Sequence, residues 1–237
     1  MDASTAVYDE SKIKTLNSLD HIRKRPGMYI GRLGDGSNAD DGIYILLKEV
    51  VDNAIDEFIM GAGKRINISI SAKGLVTVRD FGRGIPLGKI VDCVSTINTG
   101  AKYNTEVFQF SVGLNGFGTK AVNALSEHFI VTAYRDGKFA SARFADGKLL
   151  EKSECDTEEK NGTCIEFLPS EKMFPGFAFD PTFVEKRLWR YAYLNAGLKI
   201  HFDRKVFHSA NGLLDLLDKE LGGAQLYRPI YYRDATL

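Results

Sequence analysis

The chain has 237 residues, 44% hydrophobic and 26% charged, enough for one large domain or two small ones whose core holds without staples. Lys plus Arg and Asp plus Glu both number 31, so the formal net charge is zero, and the basic excess of a chain that grips nucleic acid unaided is missing. Three cysteines (Cys93, Cys155, Cys164) without CxxC spacing fit reduced thiols and a cytoplasmic setting; the four histidines make no metal spacing. No apolar run approaches the ~20 residues that span a membrane, and the first residues lack a secretory pattern.

Residues 1–12 are mostly small, polar and acidic, and read as a flexible arm with Tyr8 as its large side chain. Ile13, Leu16, Leu19 and Ile22 recur at helical spacing and predict a short helix that ends at Arg25-Pro26-Gly27. Arg32–Asp41 is a polar loop. It leads into the stretch around which the chain is organised, Leu47–Phe58, whose Leu46, Leu47, Val50, Val51, Ala54, Ile55, Phe58 and Ile59 form a broad apolar face. Glu49, Asn53 and Asp56 stack on a second face, and Asp52 and Glu57 widen the polar surface.

Gly61 and Gly63 stop that helix. Ile66–Ile70 and Leu75–Val78 predict a hairpin turning at Lys73-Gly74, its second strand ending at Asp80 before Phe81-Gly-Arg-Gly-Ile-Pro86. A short helix is expected over Leu87–Ile97. Asn98–Gly118 reads as a long loop, glycine-rich at both ends, of the kind that forms a functional lid, and a helix follows from Thr119 to Leu125. Strands are expected at Phe129–Arg135, Lys138–Phe144 and Thr163–Leu168, with turns at Asp136-Gly137 and Asp146-Gly147 and an acidic, exposed stretch at Glu151–Gly162. Pro181–Asn195 predicts a helix with Phe183, Leu188, Trp189 and Leu194 on its buried side. Leu198–Phe202 and Lys205–Phe207 make a strand pair. Asn211–Leu221 predicts a helix with Leu213, Leu214, Leu216 and Leu217 as its apolar side, and Leu226–Tyr232 one more strand. This order favours an α+β fold, a two-layer sandwich of one twisted, mostly antiparallel sheet with helices on one face, and argues against a doubly wound dinucleotide fold.

Three polar clusters carry potential chemistry. A carboxylate and an amide one helical turn apart, Glu49 and Asn53, can polarise a water and ligate a hard cation; a solvated face of an ordinary amphipathic helix would look the same. Asp80, before a glycine-rich turn, can accept from an exocyclic amine such as that of adenine, although Asp before Gly is also common in plain turns. Gly113-Leu-Asn-Gly-Phe-Gly118 opens a helix and can cradle phosphate oxygens with backbone N–H groups, with Lys102 adding a point charge. It is neither a P-loop nor the dinucleotide fingerprint. The ordered series is more informative than any member, because together it supplies every part of an ATP-hydrolysing site.

The chain resembles the ATPase domain of a bacterial type IIA topoisomerase B subunit, in the gyrase, Hsp90, histidine kinase and MutL (GHKL) superfamily. The resemblance covers nearly the whole chain. It rests on Ile22–Gly31, Glu49–Glu57, Gly82–Pro86, Gly113–Gly118 with Val122–Ser126, and Lys160–Thr163. Gly34–Ser37, Asp40–Glu49 and Val112–Ala121 look more like the B subunit of topoisomerase IV than that of gyrase.

By position, the resemblance implies that Glu49 is the general base acting on the attacking water and that Asn53 ligates Mg²⁺ bridging the phosphates of ATP. Asp80 would accept from the adenine amine, with Thr163 and Gly84 assisting through an ordered water. Lys102 and the backbone of Leu114, Asn115, Gly116, Phe117 and Gly118 would hold the phosphates. Arg83 and Arg135 would rim the pocket, where competitive inhibitors of the family bind. Tyr8 and Ile13 match an arm that reaches a second B subunit. The resemblance also implies a topoisomerase A subunit and duplex DNA as partners of the whole enzyme, whose clamp closure drives strand passage. Residues 13–224 would be the ATPase domain and 225–237 the start of a transducer domain. A lysine of that next domain reaches the terminal phosphate in the family, so a chain without it is expected to bind ATP yet hydrolyse it slowly. Phe81, Phe108 and Asn115 stand where gyrase B often has Asp, Tyr and His; Phe81 is expected to make the pocket floor more apolar.

Overall fold

The computed structural model describes residues 13, 15–99, 116–222, 224, 227, 229 and 230. In chain order its elements are α1 (Ser18–Lys24), α2 (Gly27–Ile30), α3 (Gly42–Ile59), β1 (Arg65–Ile70), β2 (Val76–Asp80), a 3₁₀ turn (Leu87–Lys89), α4 (Ile90–Ser95), α5 (Gly118–Ala124), β3 (Ser126–Arg135), β4 (Lys138–Ala145), β5 (Lys148–Asp156), β6 (Gly162–Pro169), α6 (Pro181–Leu194), β7 (Lys199–Phe202), β8 (Lys205–His208) and α7 (Leu213–Leu221). The strands form one eight-stranded sheet in the order β5-β4-β3-β6-β2-β1-β7-β8. Every pairing is antiparallel except β1 with β7. The α+β expectation therefore stands, and the β1–β7 pair is the reason the sheet is only mostly antiparallel.

Period-two sequence makes the sheet two-faced. Ile66 and Ile68 of β1, Val76 and Val78 of β2, Val131 and Ala133 of β3 and Ile165 and Phe167 of β6 are all buried, and their neighbours in sequence are not. α3 covers that buried face with Leu46, Leu47, Val50, Val51, Ala54 and Ile55. Burial of each of these large side chains contributes roughly 1.5–3 kcal/mol. The two Asp-Gly turns have the left-handed φ pairs of tight hairpins, 55° and 79° at Asp136-Gly137 and 50° and 77° at Asp146-Gly147.

Several local expectations are corrected. α1 starts at Ser18, because Asn17 caps it: its side chain accepts from Asp20 N at 2.9 Å, which leaves Ile13 and Leu16 outside the helix. The acidic stretch from Glu151 is exposed, as expected, but its first half belongs to the edge strand β5, paired with β4. Leu194 is exposed at the end of α6, and no residue of α7 is fully buried: Leu213, Leu217 and Leu221 are exposed, and Leu214 and Leu216 are half-buried. Asp52 does not widen a polar surface. It is buried and bonded to Lys48 Nζ and to the Tyr191 hydroxyl, each at 2.5 Å. The expected strand at Leu226–Tyr232 lies mostly outside the described residues, and Tyr227, Pro229 and Ile230 are in no strand.

Candidate functional site

The register of β2 and β6 builds the first part of the site. Arg79 pairs with Cys164, so Asp80 and Thr163 come side by side on the face that α3 covers. Asp80 Oδ1 accepts from Gly82 N at 2.8 Å and from Thr163 N at 3.2 Å. Among the described residues no donor reaches Oδ2. Burial pushes the Asp80 carboxyl up to about 6; the Gly82 and Thr163 N–H groups pull the other way, Glu57 adds to the rise and Arg79 opposes it. A buried acid with one oxygen satisfied and one left over is built to take a hydrogen bond from a ligand donor.

Glu57, on the last turns of α3, holds the turn that follows. Its Oε2 accepts from Arg83 N at 2.8 Å and Arg83 Nε at 3.0 Å, and its Oε1 from Arg83 Nη2 at 2.9 Å. Such forked pairing fixes a guanidinium in direction as well as place. Arg135 Nη1 donates to the Gly84 carbonyl at 3.2 Å. The two predicted rim arginines are thereby anchored on either side of the same glycine turn.

Two turns toward the start of α3, the second part of the site forms against α5. Asn53 Nδ2 donates to Glu49 O at 2.8 Å and to Thr119 Oγ1 at 2.9 Å. Gly118 opens α5 directly beneath the Glu49 carboxylate: a Cβ there would lie 1.9 Å from Glu49 Oε2, so only glycine lets helix and acid approach this closely. Glu49 and Glu57 are eight residues apart on α3, roughly 12 Å along its axis. The Glu57–Arg83 pairing beside Asp80 and the Glu49–Asn53 pair therefore sit about two turns apart along α3.

The start of α5 is braced from behind. Tyr29 of α2 meets Phe117 edge-to-face at 5.3 Å and bonds His21 Nδ1 at 2.8 Å through its hydroxyl. Arg23 Nη1 donates to Ala124 O at 2.6 Å. The Arg25–Gly31 run, which has no chemical reading as sequence, is thus the buttress of the helix that carries Gly118. Lys120, buried in α5, donates to Thr99 O at 2.7 Å and to Gly116 O, joining those two positions.

The sequence profile of the histidine kinase-, DNA gyrase B- and HSP90-like ATPases matches residues 38–172, more than half of the chain. The chain belongs to this ATPase family. Within it, the sequence is 56% identical to the B subunit of DNA topoisomerase 4 from Borreliella burgdorferi over 98% of this chain, and 38% identical to that of Mycoplasma capricolum over 84%. The B subunit of Thermus thermophilus DNA gyrase is 36% identical over 88%. The chain spans 39%, 31% and 34% of the lengths of these three proteins. The crystal structure of the 43K ATPase domain of Thermus thermophilus gyrase B in complex with an aminocoumarin superposes with a TM-score of 0.74 and 31% identity, covering 90% of this chain and 57% of that one. This is the ATPase domain type of topoisomerase IV and gyrase B subunits.

Of the expected site residues, Glu49 and Asn53 meet the start of α5 at Gly118, which Gly116 and Phe117 lead into, while Asp80, Arg83, Gly84, Arg135 and Thr163 gather at the turn after β2. Tyr8, Lys102, Leu114 and Asn115, together with Phe108, lie outside the described residues. Phe81 does not turn its ring toward the Asp80 carboxylate, against the expectation of an apolar pocket floor. Its ring lies under Arg65 (4.6 Å) and Arg79 (4.7 Å), which project from the other face of the sheet, so its apolar surface never reaches the floor. Sequence reasoning missed the parts played by Arg79, Thr119 and Lys120. A lysine amid Gly-Thr-Lys-Ala-Val, inside an otherwise apolar helix turn, was the only trace of the last. No group of three or more His, Cys, Asp or Glu able to hold a metal occurs among the described residues. An amide oxygen such as Asn53 Oδ1 fits a Mg²⁺ ion that takes most of its ligands from phosphate and water instead.

Proposed function

We propose that this chain binds ATP with Mg²⁺ and hydrolyses it as the nucleotide-driven clamp of a type IIA topoisomerase, of the topoisomerase IV rather than the gyrase kind. One observation carries the reading: residues from three distant stretches, Asp80 with Thr163, Glu49 with Asn53, and Gly118 with Thr119, converge on one side of α3 with an unspent oxygen on a buried carboxylate. The 56% identity to the B subunit of a topoisomerase 4 favours the first kind.

In this reading Asp80 Oδ2 accepts from the adenine amine, and Thr163 and Gly84 complete the base-reading end. The start of α5 from Gly116 to Gly118, with Leu114, Asn115 and Lys102, receives the phosphates. Glu49, held against that helix start, takes the proton of the attacking water, while Asn53, whose amide nitrogen is oriented by Glu49 O and Thr119, would ligate the cation through its amide oxygen. Bound Mg²⁺ would neutralise phosphate charge there. Arg83 and Arg135 flank the entrance, the place where a competitive inhibitor such as an aminocoumarin would lodge. Residues 1–12, with Tyr8, would reach a second B subunit, residues 225–237 would lead into the following domain, and the whole protein would work on duplex DNA with an A subunit in the cytoplasm. Calorimetric titration with ATP and Mg²⁺ tests the core of this: saturable binding to the wild type and at least about tenfold weaker binding to Asp80→Asn are expected. No binding, or equal binding to both, overturns it. Slow turnover by this chain, accelerated in a longer chain that includes the next domain, is the second expectation; equal rates refute it.

A further inference from the structure

We propose that Arg79 is a positioning residue for base recognition, acting on Asp80 from the face of the sheet opposite to the nucleotide. The inference rests on the reading of Asp80 as the adenine acceptor. The pleat puts Asp80, Thr163 and Ala133 on the helix-covered face, and Phe81, Gly162 and Tyr134 in a row on the other. Arg79 lies on that outer side. Its guanidinium stands 4.7 Å from the Phe81 ring centroid and 4.4 Å from that of Tyr134. Nη1 donates to Asp80 O, and Nη2 donates to Lys160 O at 2.5 Å.

Those two carbonyls belong to the two segments whose N–H groups grip Asp80 Oδ1, the turn at Gly82 and the strand start at Thr163. One planar cation therefore joins the two backbone pieces that aim the carboxylate, and two rings fix the plane of that cation. Gly162 makes the room. A Cβ there would lie 2.3 Å from Arg79 Nη1 and 2.3 Å from Asp80 O, and its φ of 136° is foreign to other residues. The phenylalanine at position 81, unexplained as a pocket residue, is accounted for as the platform of this clamp, shared with Arg65.

The test compares wild type, Arg79→Ala, Arg79→Lys, Phe81→Leu and Asp80→Asn in this chain, by calorimetric titration with Mg-ATP and Mg-GTP and by steady-state hydrolysis. Arg79→Ala is expected to raise Kd and KM for ATP about tenfold, to narrow the preference for ATP over GTP, and to leave kcat within about twofold. Arg79→Lys, which keeps the charge but not the fork, should recover only part of the affinity. A merely structural loss would instead lower kcat with the folded fraction and leave KM alone, and that result overturns the proposal. Should Arg79→Ala not fold, Arg79→Lys and Phe81→Leu decide: both must raise KM, and unchanged KM in both overturns it. Asp80→Asn separates the two readings. If it leaves ATP affinity unchanged, the adenine site itself is refuted; if it weakens binding while the Arg79 variants do not, only the positioning role falls.

Discussion

Asp80 should make this domain less stable as pH rises, the reverse of an ordinary salt-bridged carboxylate. Its carboxyl moves from 3.8 to about 6 on folding, chiefly through burial. Between those values the native state keeps a proton that the unfolded chain has lost, so stability falls as pH climbs through the window. The penalty is absent below 3.8 and complete above 6. At about 1.4 kcal/mol per unit, the whole shift corresponds to about 3 kcal/mol, and the part between pH 4.5 and 6 to about 2 kcal/mol. Asp80→Asn removes the charge but keeps an oxygen for Gly82 N and Thr163 N. Urea denaturation of wild type and variant at about pH 4.5 and about pH 8 isolates the group, because every other titration cancels in the difference. The variant's advantage should be about 2 kcal/mol larger at the higher pH, even though the same substitution is expected to weaken ATP binding. A double difference under about 0.5 kcal/mol, or one of opposite sign, would refute the argument that this carboxylate is held in a desolvated site.

Three further outcomes follow from the geometry. Glu49→Ala should bind ATP within about threefold of wild type while turnover falls at least about 100-fold, as expected for loss of a general base; single-turnover measurements that show undiminished hydrolysis would exclude the role. Gly118→Ala would put a methyl within 1.9 Å of Glu49 Oε2 and should lower turnover although no charged group changes; an ATPase rate equal to wild type would mean that the packing of Gly118 under Glu49 has no bearing on catalysis. Tyr191→Phe removes a donor from the buried Asp52, bonded at 2.5 Å, and should cost about 1.5–3 kcal/mol in denaturant unfolding; a loss under about 0.5 kcal/mol would show that Lys48 alone satisfies that acid.

Local pattern carried much of this protein. The apolar stripe of α3, the alternating strands and the two Asp-Gly turns are short-range signals, each set by residues within a few positions of one another, and they were legible without a fold. So were the residue types of the site, since an acid and an amide four apart on a helix share a face wherever that helix goes. The fold decided what those faces meet. Asp52 and Glu49 are three residues apart on one helix, yet Asp52 is sealed under Tyr191 and Glu49 lies over the start of α5, because a helix wider than its apolar stripe touches different neighbours around its circumference. Leu194, Leu213 and Leu217 have the spacing of a core and stand exposed, since periodicity reports an apolar side but not a partner for it. Phe81 and Arg79 flank Asp80 in sequence and face away from it in space. Only the register of β2 against β6, a pairing of segments some 80 residues apart, sets Asp80 beside Thr163 on one side of that strand end and Arg79 on the other.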